Sequence, residues 1–344
     1  MEDLKTTIEK DIFKLIQEMK KCHNKRRYIE LVHACNHLLE IAFLEDLDIK
    51  VPKEIDYELD KINLDCLDNI YSKQFFENLN KMFHYNEKLT KIGDYLSERY
   101  QPSSYTYNYT QKLDIAESVR LTTNFFKQYD TDIYNYFQNL KNGTHFIITN
   151  KLNDTLGTTY QSNYLIKSYV CIGLEETIID SLTIAHETIH SYIMEKNRYI
   201  PPQESNQESI NNLHEVYSMF IELLFIDYLK QIKYSPKDIR TLEIINDVEL
   251  INNLYQLDIN LHDDFNYQDY IKSEAYAYGS ILAYHFYNNY LQNQTTTKQN
   301  IQNFMLESKS HNKSYMLNNY GLSKNKILQP QTITKYLDKH FRYN

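Results

Sequence analysis

Glycine and proline are scarce in this chain and unevenly placed. There are six of each in 344 residues, and Gly143, Gly157 and Gly173 share one short window. Both residues break helices, at about 1 kcal/mol for glycine and 3 kcal/mol for proline relative to alanine. A chain so poor in both is committed to long, uninterrupted helices. The exception is the glycine-bounded window, where Thr144–Thr149 and Ser168–Ile172 are short runs of β-branched and aromatic residues flanked by turn formers. That is the pattern of short strands. The expected fold is mainly α, with one small sheet.

The apolar periodicity supplies the organisation. Ile8, Ile12, Leu15, Ile16 and Met19 recur at helical spacing, as do Leu31, Ala34, Cys35, Leu38, Leu39, Ala42 and Phe43. Two further helical patterns end near Tyr100, and Gln101-Pro102-Ser103-Ser104 is the clearest break. Residues 1–101 are therefore expected to form a short helical N-terminal lobe, and 105–344 a second domain. In that domain Asp114–Gln128 and Asp132–Leu140 read as helices. After Glu222 the chain reads as helical to its end, apart from an Asn/Gln/Thr-rich connection near 292–300.

Charge and composition narrow the partners. The net charge is −9 and no dense basic tract occurs, so nucleic acid is not an expected partner. The greasiest stretch, Ser218–Leu229, carries Glu222 and Asp227, so no membrane span is expected. Met1-Glu2-Asp3-Leu4-Lys5 places charges where a signal peptide has its apolar core. The expectation is a cytoplasmic protein, a monomer or small homo-oligomer. Cys22, Cys35, Cys66 and Cys171 lack paired spacing and read as reduced, mostly buried thiols.

The chemistry is concentrated in His186-Glu187-Thr188-Ile189-His190. Two imidazoles one helical turn apart project from one face and can share a metal ion. A zinc site that keeps a position for water needs a third protein ligand, and two histidines with one glutamate form a standard set. Glu215 is the candidate, lying in His214–Leu224, which reads as a second helix. His214 is a weaker competitor, facing away from the side shared by Glu215, Ser218 and Glu222. Glu222 falls two turns after Glu215 and is expected to hold a ligand in place rather than bind. Glu187, one residue from His186, can reach a water as general base without ligating. A bare pentapeptide of this kind often occurs by chance. Here Leu182, Ile184, Ala185 and Ile189 make its helix apolar, a strand precedes it, and an acid-bearing helix follows.

At these residues the chain resembles the oligoendopeptidase F / thimet oligopeptidase family of zinc peptidases. Leu182–Glu187 with His190-Ser191-Tyr192 is similar to the family's metal-binding helix, and Glu215–Leu224 to the helix that supplies its third ligand. Gly157-Thr158-Thr159-Tyr160 followed by Ser168-Tyr169-Val170 resembles the family's glycine-tyrosine loop and edge strand, which implies substrate contacts at Gly157 and Tyr160. Tyr276-Ala277-Tyr278-Gly279 through Tyr287 resembles its tyrosine-rich segment around a glycine. That likeness implies oxyanion stabilisation by Tyr284 and Tyr287, with Tyr276, Tyr278, Gly279 and His285 as substrate-binding candidates. The alternative for these tyrosines, in a chain with 32 of them, is ordinary helix core. The resemblance spans about 105–344 and implies a gluzincin-like helical catalytic domain with one zinc ion. Ile189 stands where relatives carry a small residue, and Ser280 and Ala275 stand at the aromatic and histidine positions that flank the glycine motif in some relatives. The N-terminal part is much shorter than theirs.

The implied function is a zinc-dependent endopeptidase acting on short peptides. A carboxypeptidase-like enzyme would need a cation for the substrate carboxylate, from Lys272 or Arg198. A catalytically weak peptide-binding protein is the non-enzymatic alternative, against which the intact His186, Glu187, His190 and Glu215 set counts.

Overall fold

A computed structural model describes residues 4–49, 91–102, 112–150, 152, 156–160, 167–197, 213–262, 267–308, 310–322, 331, 333–334 and 337–338. Cys66, Arg198 and the helical patterns expected between 50 and 90 lie outside the described residues. So does Pro201-Pro202. The described chain is helical apart from one three-stranded sheet, as the glycine distribution requires.

Helices α1 (Leu4–Lys20) and α2 (Lys25–Leu44) pair as an antiparallel hairpin. The buried stripe of α1 contains Ile8, Ile12, Leu15, Ile16 and Met19, the residues at helical spacing. On α2 the stripe runs through Leu31, Ala34, Cys35, Leu38 and Ala42. Phe43, read as part of it, is instead 82% exposed. It follows Ala42 by 100° of helical rotation, which carries it off the covered face. Residues 91–100 form α3, which stops at Gln101 in a left-handed conformation (φ 47°), where the Gln-Pro break was expected.

Helices α4 (Ile115–Tyr129) and α5 (Thr131–Lys141) share a junction at Asp130, whose backbone N–H closes α4 while its carboxylate caps the Asp132 and Ile133 amides. Such a cap contributes about 1 kcal/mol. The sheet follows, with β1 (Phe146–Thr149), β2 (Gly157–Tyr160) and β3 (Tyr169–Gly173) in the order β1-β3-β2. β1 is parallel to β3, with Phe146 opposite Val170, and β2 is antiparallel to it, with Gly157 opposite Ile172. The sequence likeness placed the edge at Ser168-Tyr169-Val170. The structure corrects this: β3 is central, buried along its whole length, and β2 is an edge.

The alternation of strand side chains divides β3 between two cores. Tyr169 and Cys171 face α1 and α2, while Val170 and Ile172 face the larger helical core. The Tyr169 hydroxyl donates to buried Asp11 of α1 at 2.9 Å, tying the N-terminal hairpin to the sheet.

Helix α6 (Ile178–Asn197) is buried almost all round, as expected of a helix at the centre of a bundle. It packs on α4 and on α7 (Glu215–Gln231). Helices α8 (Pro236–His262) and α9 (Tyr267–Gln292) complete the bundle, with α9 against both α7 and α8. The connection expected near 292–300 is a single residue. Asn293 caps Thr296 and starts α10 (Gln294–Glu307), whose Thr297, Ile301, Phe304 and Met305 are buried. A short α11 (Lys313–Asn319) follows.

Gly279 sets the distance between α9 and α7. A Cβ there would stand 2.6 Å from Glu215 Cβ and 2.8 Å from Met219 Sδ. Gly279→Ala therefore forces the helices apart, and overpacking of this kind costs about 1–3 kcal/mol. Urea unfolding should show a lower midpoint at unchanged slope; an unaltered midpoint would show that the contact is slack.

Candidate metal centre and cleft

His186 and His190 lie one turn apart on α6, and Glu215 enters from the first turn of α7. The packing of these two helices brings three donor atoms to one point. His186 Nε2 is 2.9 Å from His190 Nε2 and 3.2 Å from Glu215 Oε2, and His190 Nε2 is 3.1 Å from the same oxygen. Donors arranged tetrahedrally around an ion at about 2.0–2.1 Å stand about 3.3 Å apart, so the triangle fits a metal of zinc size.

The chemistry of the set agrees with its geometry. Glu222 Oε1 accepts from His186 Nδ1 at 2.5 Å. With the proton on Nδ1, the Nε2 lone pair is left facing the triangle, which is how a ligand histidine is prepared. Burial opposes charge on His186, yet Glu222 and Glu215 outweigh it and hold its pKa well above the ordinary imidazole value. Burial likewise favours neutral Glu215, but His190 and His214, with bonds from the imidazoles, hold it well below the ordinary carboxylate value. The cluster calls for positive charge at its centre. Among the described residues, His186, His190 and Glu215 are the one convergent set of three such donors.

His214 stands at the N-cap position of α7 but makes no capping bond with its side chain. Its Nε2 bonds Glu215 Oε1 at 2.9 Å, while Ser218 Oγ donates to Glu215 Oε2 at 3.2 Å. One carboxylate oxygen is thus held by His214 and the other points at the imidazoles.

Glu187 faces a cleft of about 320 Å³, lined also by His186, Glu222, Gly157 and Tyr276. Thr159 Oγ1 on edge strand β2 lies 2.7 Å from Glu187 Oε2 and 3.0 Å from its backbone oxygen. The close approach of β2 to α6 requires glycine at 157, where a Cβ would meet Thr183 Cγ2 at 2.6 Å and Glu187 Cγ at 2.9 Å. Sequence reasoning passed over Thr159, although it shares a strand face with Gly157.

The candidate tyrosines separate. Tyr276 lines the cleft, and Glu215, then burial and Glu187, hold its hydroxyl well above the ordinary phenol value, so it remains a donor. Tyr284 bonds Asp247 and lines a small recess beside the cleft, and Tyr287 donates to Asp227 at 2.5 Å. Tyr278 is buried in the core, and His285 pairs with Asn289 on its own helix at 3.1 Å. Tyr160 packs with its ring 5.4 Å from His37, among the side chains of the N-terminal hairpin. Lys272, Asn246 and Glu249 also line the cleft; no sequence motif marked the last two.

No protein-family model matches this sequence, and no curated protein does either. Solved structures match in fold. One, described as an oligoendopeptidase F from Bacillus anthracis str. Ames, is 14% identical, with a TM-score of 0.57 over 97% of this chain and 70% of that one. PZ peptidase A, solved with an inhibitor, is 11% identical, with a TM-score of 0.52 over 99% of this chain and 75% of that one. A structure described as a peptidase from Chlamydophila abortus is 18% identical, with a TM-score of 0.51 over 79% of this chain; the match spans 56% of that protein's length. Identities this low speak to the fold. The chain has a helical peptidase fold of the oligoendopeptidase F kind.

Proposed function

We propose that the protein is a zinc-dependent peptidase that hydrolyses short peptides. The observation that carries the reading is the triangle of His186 Nε2, His190 Nε2 and Glu215 Oε2, with Glu187 beside it at the head of a cleft. These three residues would hold a zinc ion, which would supply a Lewis acid to acidify water and polarise a carbonyl.

The remaining work falls to the chain's own groups. Glu187 takes a proton from the attacking water on its carboxylate and returns it to the leaving amine nitrogen. Thr159, bonded to Glu187 Oε2, fixes the direction of that carboxylate. Tyr276, the cleft tyrosine, donates its hydroxyl to the oxygen that gains charge, a contribution of about 3 kcal/mol for a well-aimed donor. Glu222 keeps His186 in the ligating tautomer. Gly157 and β2 offer an edge along which a peptide backbone can lie, the mode by which extended peptides add to sheets.

An exopeptidase reading has one specific support. Lys272 lines the cleft, where it could receive a terminal carboxylate. Peptides with free and amidated C-termini separate the two: equal cleavage indicates an endopeptidase, and loss on amidation an exopeptidase.

Two substitutions test the chemistry. Glu187→Gln is expected to retain stoichiometric zinc while kcat falls by about 10²–10⁴-fold, read from metal content and cleavage of a quenched peptide library. Full activity in that variant removes Glu187 as the base. Glu215→Ala is expected to lose the metal outright, whereas Glu222→Ala should weaken affinity about 10–100-fold in a competitive chelator titration. If Glu222→Ala alone empties the site, the ligand set is misassigned.

A further inference from the structure

One wall of the cleft belongs to α8. Its lining residues Asn246, Glu249 and Asn253 fall at i, i+3 and i+7, a single polar stripe that the hydrolytic chemistry does not use. Asn246 is 9% exposed, and its Oδ1 has no hydrogen-bond partner among the described residues. A buried acceptor left unmet costs about 1–3 kcal/mol, so the position calls for a donor.

Glu249, one turn further along, lines both the cleft and the recess beside it. The other acids of the cleft are engaged, Glu222 by His186 and Glu187 by Thr159. Glu249 itself is exposed to the solvent of the cleft. A second metal ion does not suit the stripe, because only His186, His190 and Glu215 converge as three donors among the described residues. An organic cation suits it. An ammonium or guanidinium supplies several N–H donors at once, enough for a carboxylate and a neighbouring amide oxygen.

We infer that Asn246 and Glu249 form a subsite for a cationic group of the bound peptide, a Lys or Arg side chain or a free α-ammonium beside the scissile bond. This rests on the peptidase reading above. Lys272 lines the same cleft from α9 and repels a cation placed close to it, so the preference belongs to one peptide position rather than to basic peptides in general.

The test uses quenched peptides that differ only by Lys, norleucine or Glu at each position flanking the cleaved bond. All are C-terminally amidated, and each is made with a free and an acetylated N-terminus. The zinc-loaded wild type is expected to favour Lys over norleucine at one position by about tenfold in kcat/KM, the yield of one charge-assisted hydrogen bond. In Glu249→Gln that ratio should fall to within about twofold of unity, and Glu249→Lys should turn the preference towards Glu. Faster cleavage of free than of acetylated N-termini, with Lys and norleucine equal, assigns the cation to the α-ammonium; a Lys preference that survives acetylation assigns it to the side chain. Equal rates both for Lys and norleucine and for free and acetylated N-termini, or a preference unchanged in Glu249→Gln, overturn the subsite while leaving the peptidase reading intact. If no peptide is cleaved, the endopeptidase reading fails. Fluorescence anisotropy of the same peptides, labelled, on wild type and Glu249→Gln then decides the subsite alone: tighter Lys binding that needs Glu249 supports it, and equal binding overturns it.

Discussion

The structure is organised around a cost: His186, Glu187 and Glu215 are polar groups buried between α6 and α7. Burying an ionised side chain alone is prohibitive, and burying a hydrogen-bonded cluster is tolerable only if every member is met. Here Glu222 meets His186, His214 and Ser218 meet Glu215, and Thr159 meets Glu187. Each partner comes from an element that must be in place first, so α6, α7 and β2 are fixed relative to one another by this cluster. Gly279 then admits α9 close behind Glu215. The surrounding aromatic and aliphatic core supplies the stabilisation that offsets the desolvation.

Much of this was legible in the chain. The stripe of α1, the helices around Asp130 and the strands between glycines follow from local rules that tertiary contacts did not override. So does the pairing of His186 with His190, since a helix fixes both azimuth and rise. What was not legible depended on distance along an element or on cover from elsewhere. Tyr276 and Tyr287 are eleven residues apart on α9 and share nearly the same azimuth, so a helical wheel cannot tell them apart. Their separation is axial, about 16 Å, and it takes one to the cleft and the other to Asp227. The tract after Asn293 has a composition typical of a linker, but burial of Ile301, Phe304 and Met305 overrides weak propensity. The central place of β3 did leave a trace: Tyr169-Val170-Cys171-Ile172 is a continuous apolar run, the mark of a strand covered on both faces.

The cleft combines two kinds of information. The end that holds His186, His190 and Glu215 is assembled from residues whose spacing announces them, because a convergent donor set demands fixed positions. Its α8 wall carries Asn246 and Glu249 at ordinary helical spacing, where nothing but the folded neighbourhood distinguishes a lining residue from a solvated one.

The double-sided burial of β3 also bears on how the molecule can be divided. One of its faces is closed by the hairpin of α1 and α2, through Asp11 and the apolar side chains around it, while its edge partner β2 carries the residue that aims Glu187. Cutting the chain after residue 101 would bare Ile147 of β1 and Tyr169 and Cys171 of β3 to water, and β3 is the strand that pairs with β2. The N-terminal helices thus back the strand that holds β2 in place beside Glu187.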